Sequence, residues 1–289
     1  MQNVLKPQLD TVQQILDVAQ KEIATLEKYL KTDFAKLSVA DQEIFMVNDI
    51  SHLYLINFWS EFEFLYKRIT IEKTEDIHYF LANLRNLIET YAELLYFLNQ
   101  DARTKLGIFV SNYLLHLSDH YRFVAPVDEI KSEYDRYSQL VKAVLEQHKI
   151  TFPEIEKLSY RSIQNQKFNF PKYDQIFMQP YFKELSSESL ALWKNDSAAT
   201  FYNKYYRIFS AYTHRSFTNQ RKSFTGNEIF WSIQFLFIIG LMMVELSNKK
   251  IFNGEYKGEL EALTQKIAEV YPAFLSAWNS QRSATQQAN

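Results

Sequence analysis

At 289 residues the chain is long enough to bury a sizeable core, as one large helical domain or as two smaller ones packed together. Only five Gly and six Pro leave too little turn chemistry for a many-stranded sandwich, and the absence of Cys excludes disulfides, thiolate nucleophiles and sulfur-ligated zinc. A formal net charge of -2 excludes a uniformly basic protein, and the lack of Cys fits a reducing cytoplasm, which is the expected location.

The first ten residues turn polar too early for a signal peptide. Leu5, Leu9, Val12, Leu16, Ala19, Ile23, Leu26 and Leu30 then step by four and three, which predicts a first helix with an apolar seam for packing on another helix. A second helix is expected from about Val39 to Ile69, opened by a Ser38 cap and ended by the charged turn at 72–76. Residues 77–99 predict an apolar helix interrupted at four-residue intervals by Arg85, Glu89 and Glu93. Asp101 caps a helix to about Phe123, and Pro126 with Asp128 and Glu129 opens another that reaches roughly His148.

Between Ile150 and Tyr173 the periodicity fails around Pro153 and Pro171, which marks a connection. A short helix is expected near Tyr181, a helix start at Ser187 and Glu188, and a helix from Ala198 to about His214. A basic loop follows, then a buried helix over 228–247 and a last helix from Gly258 to Trp278. The apolar run from Ile229 to Val244, 16 residues long, is shorter than the about 20 that a bilayer span needs, so it predicts a central helix and no membrane contact. The fold class is therefore all-α, a multi-helix bundle. Its expected organisation is an N-terminal helical hairpin over 1–70 packing on a helical domain over 71–280. That domain has a connection at about 150–173, and a disordered tail fills 281–289.

Chemistry concentrates in one stretch. Residues 197–227 hold Lys204, Arg207, Arg215, Arg221 and Lys222 with no Asp or Glu, and eight aromatics are threaded among them. With +5 there and -2 overall, the rest of the chain carries -7, so a polyanion is drawn to this segment. Arg207 and His214 lie seven residues apart, which places them on one helix stripe about 10 Å apart along the axis, with Ser210 between them. One phosphodiester can touch both. The imidazole can take a proton from a ribose 2′-hydroxyl while the guanidinium holds the charge that builds on the phosphoryl oxygens, with no metal required.

The sequence Tyr205-Tyr-Arg-Ile-Phe-Ser-Ala-Tyr-Thr-His214-Arg-Ser resembles the motif helix of the HEPN superfamily, in which an Arg is followed a few residues later by His. Six residues intervene here, and Ile208 stands where many active members have a polar residue. HEPN domains are all-helical modules, many of them RNases of toxin-antitoxin, abortive-infection and CRISPR systems. The resemblance also matches Arg85-Asn-Leu-Ile-Glu89 to an earlier Arg-x-x-x-Glu helix packed against the motif, and it covers roughly residues 77–247. It implies a HEPN-like core, catalytic Arg207 and His214, and Ser210, Arg85 and Glu89 in support. RNA would meet Lys204, Tyr206, Tyr212, Arg215, Arg221 and Lys222, in a homodimer with no cofactor.

The expected function is thus a metal-independent endoribonuclease of a phage-defence or toxin system, or an inactive RNA-binding relative. The alternative is a non-catalytic interaction module that meets a protein partner through the N-terminal helix. His116, Asp119 and His120 have a spacing that metals accept, but Leu117 replaces the Glu of the metalloprotease helix, so they read as a polar face with no metal. No glycine pair is close enough for a nucleotide-binding loop, and no Gly-x-Ser-x-Gly elbow occurs.

Overall fold

The computed structural model describes residues 2–70, 77–123, 127–154, 157, 171–192, 205–207, 209–210 and 226–287. Among them 87% are helical and there is no strand. The helices are α1 (Gln2–Leu30), α2 (Val39–Thr70), α3 (Ile77–Leu98), α4 (Ala102–Phe123), α5 (Val127–Gln147), α6 (Tyr173–Phe177), α7 (Pro180–Leu185), α8 (Ser187–Leu192), α9 (Gly226–Lys250) and α10 (Lys257–Gln287). Two compact units divide the chain: one comprises 1–23, 54–95 and 172–289, the other 24–53 and 96–171.

Local chemistry explains where several helices begin. The Ser38 hydroxyl accepts the Asp41 backbone N–H at 3.2 Å and donates to the Asp41 carboxylate at 2.6 Å, so one side-chain pair closes the start of α2. Asp101 does the same for α4, accepting the Thr104 N–H at 2.9 Å and the Thr104 hydroxyl at 3.0 Å. Both caps need only a three-residue spacing, and both stand where the sequence places them. The end of α10 differs. No Pro or Gly interrupts residues 279–287, and the helix runs on to Gln287 through the stretch read from sequence as a disordered tail.

In the first unit the core is organised around α9. From Ser232 to Asn248 its side chains are buried on every face; the stretch Ser232–Lys250 has the length and composition of a membrane span, as a buried core helix also can, and is 94% buried. Gly240 lets two other helices reach it. A Cβ there would lie 2.9 Å from a Phe62 ring carbon on α2 and 3.0 Å from Ile15 Cγ2 on α1. Within this unit the seam of α1 is spent in the core: Val12, Leu16 and Ala19 are buried, with Ile15 and Val18 beside them, whereas Ile23 is half-exposed. The buried face is wider than a two-residue heptad seam and drifts around the helix, as a straight helix of 3.6 residues per turn requires.

A helix enclosed on all sides must satisfy its polar groups internally. Glu245, fully buried, accepts the backbone N–H of Glu188 at 3.0 Å and of Ser189 at 2.9 Å, and so caps the N-terminus of α8. Lys249 reaches the same carboxylate at 2.7 Å. Asn248 accepts the Tyr256 N–H at 2.9 Å across the turn into α10. Glu22 of α1 is the costly case. It is buried, its Oε1 meets the Ser247 hydroxyl at 2.7 Å, and its Oε2 has no hydrogen-bond partner. Burial pushes its carboxyl up to about 8 against a modest lowering by Ser247, so near neutrality it is largely the neutral acid.

The second unit is held by aromatic contacts between α4 and α5, where the Tyr113 and Tyr137 rings stack at 4.1 Å. His148, just past α5, meets Glu43 of α2 at 2.7 Å.

Two consequences are measurable. Gly240→Ala should lower stability by about 1–3 kcal/mol, the cost of overpacking a core, read as a shift in the urea midpoint. In the folded chain Glu22 is raised to about 8 from an ordinary carboxyl value of 4.5, so folded chains bind the extra proton. Its contribution is full below about pH 4.5 and is lost as pH rises through about 8. Glu22→Gln should flatten the fall in urea midpoint between those limits.

Candidate functional site

Of the helix expected over 198–214, residues 205–207 and 209–210 are described, and all are helical. Their side chains divide by direction. Tyr205 and Phe209, four apart and both buried, dock on Phe235 of α9 with ring centroids at 5.3 and 5.0 Å. Tyr206 turns instead to α3. Its hydroxyl donates to Glu89 Oε1 at 3.1 Å, and the Arg85 guanidinium carbon lies 5.4 Å from the centre of its ring. Arg207, the next residue, is exposed, and Ser210 is half-buried.

The interruptions in α3 are a built polar stripe. On either side Leu84, Leu87, Ile88, Leu94 and Leu95 are buried, and Arg85, Glu89 and Glu93 are stacked one turn apart between them. Arg85 Nε donates to Glu89 Oε1 at 2.7 Å, with about a fifth of each side chain exposed. Burial opposes the Arg85 cation, but Glu89 and Tyr206 outweigh it and hold its pKa above the ordinary value. The Tyr206 phenol is pushed up to about 12, first by burial and then by Glu89, so it stays a hydrogen-bond donor.

One turn on, Tyr173 of α6 donates to Glu93 Oε1 at 3.0 Å, and its ring lies 5.5 Å from that of Tyr206. Tyr54 of α2 also hydrogen-bonds Glu93. Burial raises the Glu93 carboxyl, Glu89 adds to the rise, and the two tyrosines oppose it. The result is one network in which three tyrosines from three parts of the chain satisfy two carboxylates of a single helix.

The structure therefore brings Arg85, Glu89 and Tyr206 together and sets Arg207 and Ser210 on the same short segment. Lys204, Tyr212, His214, Arg215, Arg221 and Lys222 lie outside the described residues. The side chains of His116, Asp119 and His120 on α4 do as well, and among the described residues no three His, Asp or Glu group as metal ligands would. Sequence reading noted Glu93 only as a polar interruption and missed Tyr54 and Tyr173 altogether. The four-residue spacing from Arg85 to Glu93 was the available signal for the carboxylate. Nothing around Pro171 marks Tyr173 as its partner.

Comparison of the chain with protein-family models, with curated proteins and with solved structures gives no match.

Tyr206→Phe keeps the ring beside Arg85 and deletes the hydroxyl that donates to Glu89 and hydrogen-bonds Arg85, so it should lower stability by about 0.5–1.5 kcal/mol. Glu89→Ala strips both Arg85 and Tyr206 of their acceptor and should cost more, about 1.5–3 kcal/mol as for other hydrogen bonds to charged groups. Urea unfolding of both variants tests the order.

Proposed function

We propose that the chain is a metal-independent endoribonuclease of the HEPN type, or an RNA-binding relative that has lost the chemistry, acting in phage defence or a toxin system as a homodimer. One observation carries most of this reading. The segment bearing Arg207 is clamped on two sides, by Tyr205 and Phe209 on α9 and by Tyr206 on Glu89, while Arg207 is exposed. A cation on a rigid base, in an acid-free stretch of +5, suits a site where charge develops on a phosphoryl group.

In this reading His214 accepts the proton of a ribose 2′-hydroxyl as the 2′-oxygen attacks phosphorus, and Arg207 stabilises the charge gathering on the non-bridging oxygens. The bond from phosphorus to the 5′-oxygen breaks, that oxygen takes a proton from solvent, and a 2′,3′-cyclic phosphate remains. Arg85 and Glu89 support the Arg207 helix through Tyr206. The rival reading, an interaction module that binds a protein partner through α1, has less to draw on. The middle of the α1 seam, Val12, Leu16 and Ala19, is buried in the chain's own core.

Purified protein treated with EDTA should cleave RNA, and His214→Ala and Arg207→Ala should each lower the rate by about 10² to 10⁴ while the helical circular dichroism persists. Arg215→Ala and Lys222→Ala should weaken binding in a graded way and reduce its salt dependence. Failure of the wild-type protein to cut or bind structured and single-stranded RNAs would favour the interaction module.

A further inference from the structure

The α3 stripe holds a guanidinium whose donors the described residues leave partly unused. A guanidinium carries five N–H donors, and where it serves only to neutralise a carboxylate it frequently does so through two parallel bonds. Arg85 makes a single bond to Glu89, from Nε to Oε1 at 2.7 Å. A second hydrogen bond goes to the Tyr206 hydroxyl. Among the described residues Glu89 is the one carboxylate within ion-pair distance of Arg85. Glu89 thus holds the guanidinium from the Nε side, its carbon lies over the Tyr206 ring at 5.4 Å, and among the described residues no further partner takes the remaining donors of a side chain that is 21% exposed.

The neighbouring carboxylates do not use those donors. Glu89 Oε1 already accepts from Arg85 and Tyr206, and Glu93 is engaged by Tyr173 and Tyr54. Arg207 directly follows Tyr206, whose ring centre lies 5.4 Å from the Arg85 guanidinium carbon.

We propose that Arg85 is a phosphate-binding residue for a polynucleotide backbone, its outer N–H fork held by Glu89 and Tyr206 toward a phosphodiester neighbouring the one at Arg207. The inference rests on the ribonuclease reading above and assigns its site a second phosphate contact. Arg85 then touches substrate directly, in addition to bracing Tyr206. A planar fork also distinguishes this contact from that of a lysine, which offers charge without the geometry.

The test is binding of a fluorescent 2′-O-methyl RNA, which lacks the attacking hydroxyl, to the full-length protein at several salt concentrations. Arg85→Gln, which keeps a donor for Glu89, should weaken binding about tenfold and lower the salt slope by about one. Arg85→Lys should restore the slope without restoring the affinity. In wild-type protein with 15N-labelled arginine, the Arg85 Nε–H resonance, identified by its loss in Arg85→Lys, should shift as the RNA is added. That measurement holds even where a variant folds poorly. Wild-type binding with an unshifted Arg85 resonance, or with unchanged affinity and slope in a folded Arg85→Gln, would overturn the phosphate contact and leave the ribonuclease reading standing. Absence of wild-type binding would overturn both.

Discussion

The absent side chain at Gly240 is the constraint on which the first unit depends. Because nothing projects there, Ile15 of α1 and Phe62 of α2 come within 2.9–3.0 Å of the point where a Cβ would stand. A helix approached that closely is surrounded, and its polar residues lose access to water. Each then needs an internal partner, and those partners set the rest of the packing. Gln234 donates to the Tyr271 hydroxyl of α10 at 2.6 Å, Glu245 caps α8, Ser247 meets Glu22 of α1, and Asn248 holds the turn into α10. The apolar contact chooses which helices touch α9, and the polar contacts choose their register.

Helix α3 solves the same problem differently. Its charged stripe is only partly enclosed, so it does not need to be neutralised by burial-adapted groups alone. Tyrosines do most of the work, because a phenol brings a large ring to an apolar surface and a donor to a carboxylate at its rim. Tyr54, Tyr173 and Tyr206 come from α2, α6 and the basic segment, so the stripe binds together pieces of chain distant in sequence. What it gives the candidate site is stiffness. Arg207 stands on a segment held by an aromatic dock on one side and a charge-assisted hydrogen bond on the other.

The sequence was most legible where the deciding interaction is local. The starts of α2 and α4 follow from Ser38 and Asp101, whose hydrogen bonds span three residues, and the buried character of α9 follows from its unbroken apolar run. The proximity of Arg85 and Glu89 to the Arg207 segment was an expectation from resemblance, and Tyr206 is the residue through which they meet. Illegible features share one trait: their partners lie far along the chain. Glu245 read as the polar end of an apolar helix, yet it caps a helix that begins 58 residues earlier, at Ser187. Glu22 lies between the seam residues Ala19 and Ile23, and the width of the real contact face draws it inward. Tyr173 follows a stretch without periodicity, so no pattern could direct it to Glu93.

The contact at Gly240 also orders events in time. Ile15 leaves the ribosome 225 residues before Gly240 does, and at synthesis rates of about 5–20 residues per second it waits roughly 10–50 s for the surface it packs against. For that interval the apolar face of α1 has no native partner on α9. The nascent chain therefore keeps the α9-facing side of α1 without its native cover through most of its own synthesis, and slow codons late in the message would lengthen that interval.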